Sequence, residues 1–129
     1  MHMKREKKIL VIEDETTLRD LFVQRLKELS YTIYSAPDGK TALKICEESK
    51  PDRLLLDINL PDILGIDIVE ILKKNKEIYG NPGIFVVTGI SYSIQDAESL
   101  WLKEFKVNAF FTKPFEFNEL IEKIEDFLK

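Results

Sequence analysis

The sequence predicts an α/β protein with a doubly wound, five-stranded parallel sheet flanked by five helices. Short apolar segments alternate five times with segments whose apolar residues recur at helical spacing. The short segments are mostly continuous apolar runs, as expected for parallel strands that helices cover on both faces. The chain has 129 residues, the size of one compact domain, and no repeat or low-complexity linker divides it.

Each predicted strand is rich in β-branched, leucine or aromatic residues and ends at a polar or turn-forming residue. The five runs are "KILVIE" at 8–13, "YTIYSA" at 31–36, "DRLLLD" at 52–57, "GIFVVTG" at 83–89 and "VNAFFT" at 107–112. Three leucines precede Asp57 in the third run, so we expect this strand to be buried at the centre of the sheet.

Five apolar stripes at helical spacing lie between and after these strands. The first helix has Asp14 or Thr16 as its expected N-terminal cap, and the turn "PDG" leads into the second. The fourth helix is expected around 93–105. In chain order the stripes are Leu18, Leu21, Phe22, Leu26 and Leu29; Ala42, Ile45 and Cys46; Ile68, Val69 and Leu72; Ile94, Ala97 and Trp101; and Phe117, Leu120, Ile121, Ile124 and Leu128.

Composition argues against several classes of protein. Hydrophobic residues make up 44% of the chain, enough for one core. The net charge of −4 argues against direct nucleic-acid binding, which usually requires a basic face. No apolar run approaches the ~18 residues of a membrane span, so no membrane insertion is expected. The single cysteine, Cys46, excludes an internal disulfide and suits a reducing compartment, so we expect a cytoplasmic protein.

The chain is expected to divide into a short tail and one domain. Residues 1–6 are expected to be a disordered tail, in which Met1-His2-Met3 has the pattern of a cloning scar. Residues 7–129 are expected to form the domain.

Polar side chains stand at the ends of four predicted strands. Glu13 and Asp14 follow the first strand, and Asp57 ends the third. Thr88 and Lys113 mark the ends of the fourth and fifth. Because the carboxyl ends of parallel strands meet at one edge of the sheet, where ligands bind, we expect all five side chains to converge.

This set of side chains predicts a particular chemistry. Three carboxylates held close together repel one another unless a cation lies between them. Mg²⁺ is a hard cation that binds a few carboxylates plus water, often together with a phosphate. Lys113 offers an ammonium and Thr88 a hydroxyl donor for anionic oxygens. The combination is typical of phosphoryl transfer, in which catalysis consists mainly of positioning and charge neutralisation.

Four motifs occur in a fixed order along the chain: "ILVIEDE", "LLLDINLPDILG", "VVTG" and "KPF". This ordered set resembles the receiver domain of bacterial two-component response regulators, and is similar to the single-domain regulators of chemotaxis and phosphorelays. The motifs correspond to the family's first-strand acids, phosphoacceptor strand and loop, fourth strand and fifth-strand end. The resemblance covers residues 7–129 and implies a flavodoxin-like sheet with the strand order 2-1-3-4-5.

The resemblance also implies a role for each residue at the strand ends. Asp57 is the expected phosphoacceptor, phosphorylated with Mg²⁺ by a sensor histidine kinase or a histidine phosphotransfer protein. Thr88 and Lys113 are expected to contact the phosphoryl group. The expected metal ligands are Glu13, Asp14, Asp57 and the backbone carbonyl of Asn59.

A switch is implied as well. Phe110, three residues before Lys113, matches the family's aromatic switch position, and the Lys113–Pro114 bond resembles one that is typically cis. Phosphorylation is expected to change the face built by the fourth helix, fifth strand and fifth helix, to which a downstream effector protein or domain binds. The chain departs from the family's pattern at Glu13, where aspartate is common, and at Asp62, where glycine is frequent. Phe110 lacks the hydroxyl of a tyrosine switch.

Each of these residues also has a simpler structural interpretation, and only their coincidence in one pattern favours a site. The simpler interpretations are a solvated strand end for Asp57, capping of the first helix for Glu13 and Asp14, strand packing for Thr88, a surface position for Lys113 and core packing for Phe110.

The predicted function is a phosphorylation-dependent switch, not an enzyme: it catalyses only its own phosphorylation and dephosphorylation. The alternatives are a phosphorelay intermediate, or a receiver module cut from a larger regulator or hybrid kinase. A haloacid-dehalogenase-like phosphatase is disfavoured because it requires a second carboxylate two residues after the nucleophile, where this chain has Asn59. The intact acid, threonine and lysine set disfavours a phosphate-independent pseudo-receiver.

Overall fold

The computed structural model describes residues 7–89 and 100–126 and shows one five-stranded sheet. All neighbouring strands pair in parallel, in the order β2-β1-β3-β4-β5, so the predicted doubly wound sheet and its strand order are confirmed. The strands are β1 (Lys8–Ile12), β2 (Thr32–Ala36), β3 (Arg53–Asp57), β4 (Gly83–Thr88) and β5 (Ala109–Thr112).

Helical elements connect the strands. They are α1 (Thr16–Lys27), α2 (Gly39–Ser49), α3 (Gly65–Lys74), the single turn α4 (Lys76–Tyr79), a π-helical segment (Leu100–Glu104) and α5 (Phe117–Asp126). The sequence analysis did not predict the turn α4. The expected tail at 1–6, Leu128, and Ile94 and Ala97 of the expected fourth helix lie outside the described residues. Within the described ranges, no helix is both long and apolar enough to cross a membrane.

Two cores form because strand side chains alternate between the faces of the sheet. Leu54 and Leu56 of β3 enter the first core, and Leu55 enters the second. Burial on both faces explains why the strands read as continuous apolar runs. The helical contribution to the first core comes from Ala42, Cys46, Ile68, Val69, Leu72 and Trp101. In the second core it comes from Phe22, Leu26, Leu120 and Ile124.

The strand order reverses at the centre of the sheet. The chain continues from β1 to β2 on one side, whereas it continues from β3 to β4 and β5 on the other. In open α/β sheets, ligands bind in the crevice outside the carboxyl ends of the strands at such a point. The fold therefore indicates a site beyond the ends of β1 and β3.

Two element boundaries differ from the prediction, at the start of α1 and at the start of β5. The expected caps of α1 are wrong: Glu15 occupies the N-cap, and its side chain makes no capping hydrogen bond within the described part of the chain. β5 begins two residues later than predicted because the side-chain oxygen of Asn108 accepts the Ile84 N–H at 2.8 Å, in place of a backbone partner.

Arg53 is a buried charge at the opposite edge of the sheet from the predicted site, at the start of β3. Its side chain is 1% exposed. Its Nε donates to the Ile124 carbonyl in α5 at 3.2 Å, and its guanidinium lies 5.8 Å from the centre of the Tyr31 ring. The Tyr31 hydroxyl donates to Glu125 Oε2 at 2.8 Å. Burial lowers the pKa of Arg53, although the neighbouring Tyr31 and Glu125 oppose this effect. The contacts tie the end of α5 to the central strand.

We expect Arg53→Ala to lower the free energy of unfolding by about 3 kcal/mol, because it opens a cavity and removes the donor to the Ile124 carbonyl. Arg53→Met keeps most of the volume and removes a buried charge, so it should cost less than about 1.5 kcal/mol. Urea unfolding followed by circular dichroism measures both values. Equal losses would contradict the packing explanation.

Candidate functional site

Two acids lie side by side at the carboxyl ends of the central strands. Glu13 directly follows β1, and Asp57 is the last residue of β3, its hydrogen-bonded neighbour. The N–H of Glu13 donates to the Ala36 carbonyl at 3.0 Å, which continues the β1–β2 ladder to Glu13 and fixes its backbone. Glu13 is only 1% exposed and Asp57 only 4%. Two buried carboxylates in contact are costly unless a cation compensates them.

Lys113 provides a positive charge from the end of β5. Its Nζ lies 3.1 Å from Glu13 Oε1 and 3.1 Å from Asp57 Oδ2. The Lys113 N–H donates to the Thr88 carbonyl at 2.7 Å, which extends the pairing of β4 and β5 by one residue and directs the side chain towards the acids. The Lys113–Pro114 peptide bond is cis. The ammonium thus lies inside the acidic cluster, and only 26% of its side chain is exposed.

One ammonium does not balance two carboxylates, and burial together with these charged contacts shifts the pKa values of Glu13 and Lys113. Burial and the contact with Asp57 raise the pKa of Glu13 to about 7, although Lys113 and the Glu15 N–H act in the opposite direction. Burial lowers the pKa of Lys113, but its contacts with Glu13 and Asp57 outweigh burial and raise it. The lysine therefore stays charged, while the pKa of Glu13 lies well above that of an ordinary glutamate.

Asp14 adds a third carboxylate on the exposed side of the cluster. One oxygen each from Glu13, Asp14 and Asp57 lies within 4.8 Å of the other two. Three hard oxygen donors at this separation fit Mg²⁺, which takes a few carboxylates and completes its shell with water. Asp57 Oδ1 also accepts the Asn59 N–H at 2.9 Å, so the backbone beyond β3 turns close to the acids.

Arg19 of α1 is a supporting residue that the sequence analysis missed. Its Nη1 donates to the Glu13 carbonyl at 2.8 Å and lies 3.4 Å from the Asp14 carbonyl. Glu13 Oε2 accepts the Glu15 N–H at 3.2 Å. These bonds hold the acidic turn against the start of α1. No motif identifies Arg19, because its partners are backbone carbonyls, which every residue offers.

The sequence matches the response regulator receiver domain family over residues 9–125, which is most of the chain. The chain belongs to this family. It is therefore a receiver domain, a regulatory module of two-component systems in which phosphorylation of an aspartate is a general property.

Two curated relatives and one solved structure illustrate the relationship. The receiver domain is 31% identical over 121 residues to sporulation initiation phosphotransferase F of Bacillus subtilis (strain 168), covering 94% of this chain and 93% of that protein. It is 29% identical over 123 residues to the alkaline phosphatase synthesis transcriptional regulatory protein PhoP of the same organism. That match covers 95% of this chain but 49% of that protein, so the chain spans about half the length of this relative.

The solved structure is that of a CheY-like response regulator receiver domain protein from Methanospirillum hungatei JF-1. It superposes with a TM-score of 0.80 at 27% sequence identity. The match covers 96% of this chain and 94% of that chain.

Thr88 and Phe110 lie on the neighbouring strands β4 and β5 of the receiver domain, two positions apart in the register. Thr88 is 1% exposed at the end of β4. Phe110 pairs with Val86 in the sheet and packs against the first core. The centre of its ring lies 6.4 Å from that of Trp101, and the two planes meet at 28°. Phe110 is half-buried, so packing and a switch role are both compatible with its position.

Asp62, which stands where the family frequently has glycine, contacts the start of α2. Its carboxylate accepts hydrogen bonds from the backbone at the start of α2: Oδ1 from Gly39 at 2.8 Å and Oδ2 from Lys40 at 2.9 Å. These bonds lower the pKa of Asp62, that from Gly39 most strongly. The sequence contains no local signal for this contact, since 22 or more residues separate the partners.

The raised pKa of Glu13 predicts how stability depends on pH in protein freed of metal with EDTA. The folded state holds the Glu13 proton up to about pH 7, whereas the unfolded state releases it near 4.5. Glu13 therefore lowers stability as the pH rises from about 5 to 7, and its full cost is present above 7. Glu13→Gln removes this titration. The free energy of unfolding of the variant, relative to that of wild type, should therefore increase as the pH rises from 5 to 8. A difference between the two proteins that stays constant over this range would contradict the prediction.

Proposed function

We propose that the receiver domain, residues 7–129, accepts a phosphoryl group on Asp57 from a phosphohistidine of a sensor histidine kinase or a histidine phosphotransfer protein. One observation supports this most: the Asp57 carboxylate lies at the end of the central strand, 3.1 Å from the Lys113 ammonium and beside two further acids. A carboxylate nucleophile beside an ammonium and further carboxylate oxygens that fit a metal ion meets the main requirements of phosphoryl transfer.

In the proposed reaction, an oxygen of the Asp57 carboxylate attacks the phosphorus atom. The O–P bond forms as the N–P bond to the histidine ring breaks, and the ring nitrogen keeps the electron pair and takes up a proton. The product is an acyl phosphate on Asp57, which water later hydrolyses to restore the carboxylate. Lys113, hydrogen-bonded to Asp57 before the reaction, donates to a phosphoryl oxygen as charge develops there.

Glu13, Asp14, Asp57 and the Asn59 backbone carbonyl are the proposed Mg²⁺ ligands. When bound, Mg²⁺ neutralises charge on the phosphoryl oxygens and on the acids. The chain contributes the geometry: β1 and β3 set the spacing of the buried acids, and Arg19 fixes the backbone of the acidic turn.

Thr88 and Gly89 border the space into which the phosphoryl group enters. The Thr88 hydroxyl is proposed to donate to a phosphoryl oxygen. A Cβ placed on Gly89 would lie 3.6 Å from Lys113 Cδ, an ordinary contact. Packing therefore does not require glycine at this position, and the missing side chain leaves room for the incoming group.

Phosphorylation is proposed to switch a surface through Thr88 and Phe110. As Thr88 moves towards the phosphoryl group, it leaves space into which the Phe110 ring turns, and this shifts a two-state equilibrium. Phe110 packs near Trp101, so its movement reaches the π-helical segment and the face shared with β5 and α5. That face is the proposed binding surface for an effector protein or domain.

A second candidate role is that of a phosphorelay intermediate, which passes its phosphoryl group to another histidine. The similarity to sporulation initiation phosphotransferase F, over nearly the full length of both chains, favours it. Mixing phosphorylated protein with a histidine phosphotransfer domain distinguishes the roles, because only a relay intermediate transfers the label rapidly. In both roles the domain catalyses only its own phosphorylation and dephosphorylation, and the buried, unpaired Cys46 suits a cytoplasmic location.

The first test uses a small phosphodonor. We expect wild-type protein with acetyl phosphate and Mg²⁺ to gain about 80 Da, and Asp57→Asn to gain nothing because an amide is a poor nucleophile. Intact-protein mass spectrometry measures the change. Asp20→Asn, an exposed acid on α1, serves as the matched control and should be labelled like wild type. Normal labelling of Asp57→Asn would refute the assignment of the acceptor.

The second test uses Trp101, the single tryptophan of the chain. We expect beryllofluoride with Mg²⁺ to change its emission, because Phe110 lies close to the indole ring and moves on activation. The change should be much smaller in Phe110→Leu and absent in Asp57→Asn. If amide chemical shifts around Asp57 show binding while the emission stays constant in wild type, the switch through Phe110 is wrong.

A further inference from the structure

Asp62 joins two parts of the chain that are distant in sequence. Its Oδ1 accepts the N–H of Gly39 and its Oδ2 the N–H of Lys40, the first two residues of α2, at 2.8 and 2.9 Å. Oδ1 also accepts the N–H of Ile63 at 2.9 Å. Both oxygens are thus used, and the loop after β3 is bonded to the start of a neighbouring helix.

The start of α2 has two carboxylate partners, and Asp62 is the one that comes from another part of the chain. Asp38 occupies the N-cap position, and its Oδ1 accepts the Thr41 N–H at 2.8 Å. The side-chain hydrogen bond of Asp38 is therefore local to the start of α2. Asp62 adds a connection between the helix and the loop.

The loop is also packed tightly at both of its ends. A Cβ on Gly65 would lie 2.8 Å from Ile58 Cα, so the end of the loop contacts its beginning directly. A Cβ on Gly39 would lie 3.0 Å from Ile63 Cβ, so α2 and the loop are in close contact at the point where Asp62 binds. These contacts leave the loop little freedom while the Asp62 bonds remain.

The section of the loop between these contacts carries a proposed metal ligand. Asn59 lies between Ile58, which is held against Gly65, and Asp62, which is held against α2. The Asn59 N–H donates to Asp57 Oδ1 at 2.9 Å, so a shift of this section also changes the orientation of the acceptor carboxylate.

We propose that Asp62 is a positioning residue for the metal site: its bonds to the start of α2 hold the loop so that the Asn59 carbonyl and the Asp57 carboxylate are arranged to bind Mg²⁺. This inference rests on the proposed function, because it assigns a cause to the metal affinity of the same site. The charge of Asp62 is used in the hydrogen bonds to the backbone, and Asp62 itself is not a metal ligand.

The test compares Asp62→Asn with Asp38→Asn, which removes the same charge from the same helix terminus at a residue whose side-chain hydrogen bond is to α2 itself. Mg²⁺ is titrated alone into each protein, and the amide chemical shifts of residues 57–60 give the dissociation constant. We expect Asp62→Asn to bind Mg²⁺ about three- to tenfold more weakly than wild type. The loss is smaller than the 10–100-fold typical when a direct partner of a metal ligand is removed, because Asp62 acts through the loop. Asp38→Asn should bind Mg²⁺ with the affinity of wild type, although we expect both variants to melt at a lower temperature than wild type.

Two further measurements separate positioning from charge and from general destabilisation. In 0.5 M KCl, where exposed charges are screened, the loss in Asp62→Asn should persist if it arises from loop position. With acetyl phosphate, the labelling rate of Asp62→Asn should approach that of wild type at saturating Mg²⁺, because the defect lies in metal affinity.

Equal Mg²⁺ affinity in wild type and Asp62→Asn would overturn the inference, and so would equal losses in the two variants or a loss that disappears in high salt. If wild-type protein does not bind Mg²⁺ near Asp57, the proposed function itself fails and the inference fails with it. The two failures are therefore distinguishable from the wild-type titration.

Discussion

The ammonium of Lys113 lies between two buried carboxylates, 3.1 Å from Glu13 and 3.1 Å from Asp57, at the edge of the sheet where β1 and β3 end. Without it, the fold would hold two nearly inaccessible negative charges in contact. With it, one negative charge remains uncompensated, and burial together with the neighbouring Asp57 raises the pKa of Glu13. The cluster therefore carries excess negative charge, and Asp14 adds a further carboxylate on its exposed side.

Backbone hydrogen bonds set this geometry. The Glu13 N–H is bonded to β2, and the Lys113 N–H to the last residue of β4, so both side chains start from fixed points of the sheet. Arg19 then holds the carbonyls of the acidic turn. A site built in this way is arranged before its ligand arrives, which suits a reaction in which positioning and electrostatics provide most of the catalysis.

The loop after β3 is bonded both to the central strand and to a neighbouring helix. The Asn59 N–H donates to Asp57 at the end of β3, and Asp62 accepts from the start of α2. Glycine is frequent in the family at the position of Asp62. In this chain the Asp62 carboxylate bonds the loop to the neighbouring helix, which glycine could not do. The departure at Glu13 leaves an oxygen donor in place, and the longer side chain is held by Lys113 and the Glu15 N–H.

Sequence patterns predicted the fold class, and the family resemblance predicted the strand order. They also predicted that Glu13, Asp14, Asp57 and Lys113 lie together, as the structure shows. The role of Thr88, at the end of β4, stays a prediction. These predictions succeed because apolar periodicity and the ends of strands are visible in the local sequence. In a parallel sheet the carboxyl ends of the strands lie at one edge, so residues at those ends lie close together. The sequence did not reveal that Arg19 binds the carbonyl of Glu13, that Arg53 binds the carbonyl of Ile124, or that Asp62 binds the start of α2. Their contacts are visible only in the tertiary structure. Each contact involves backbone groups, which every residue carries and which folding brings close to the side chain.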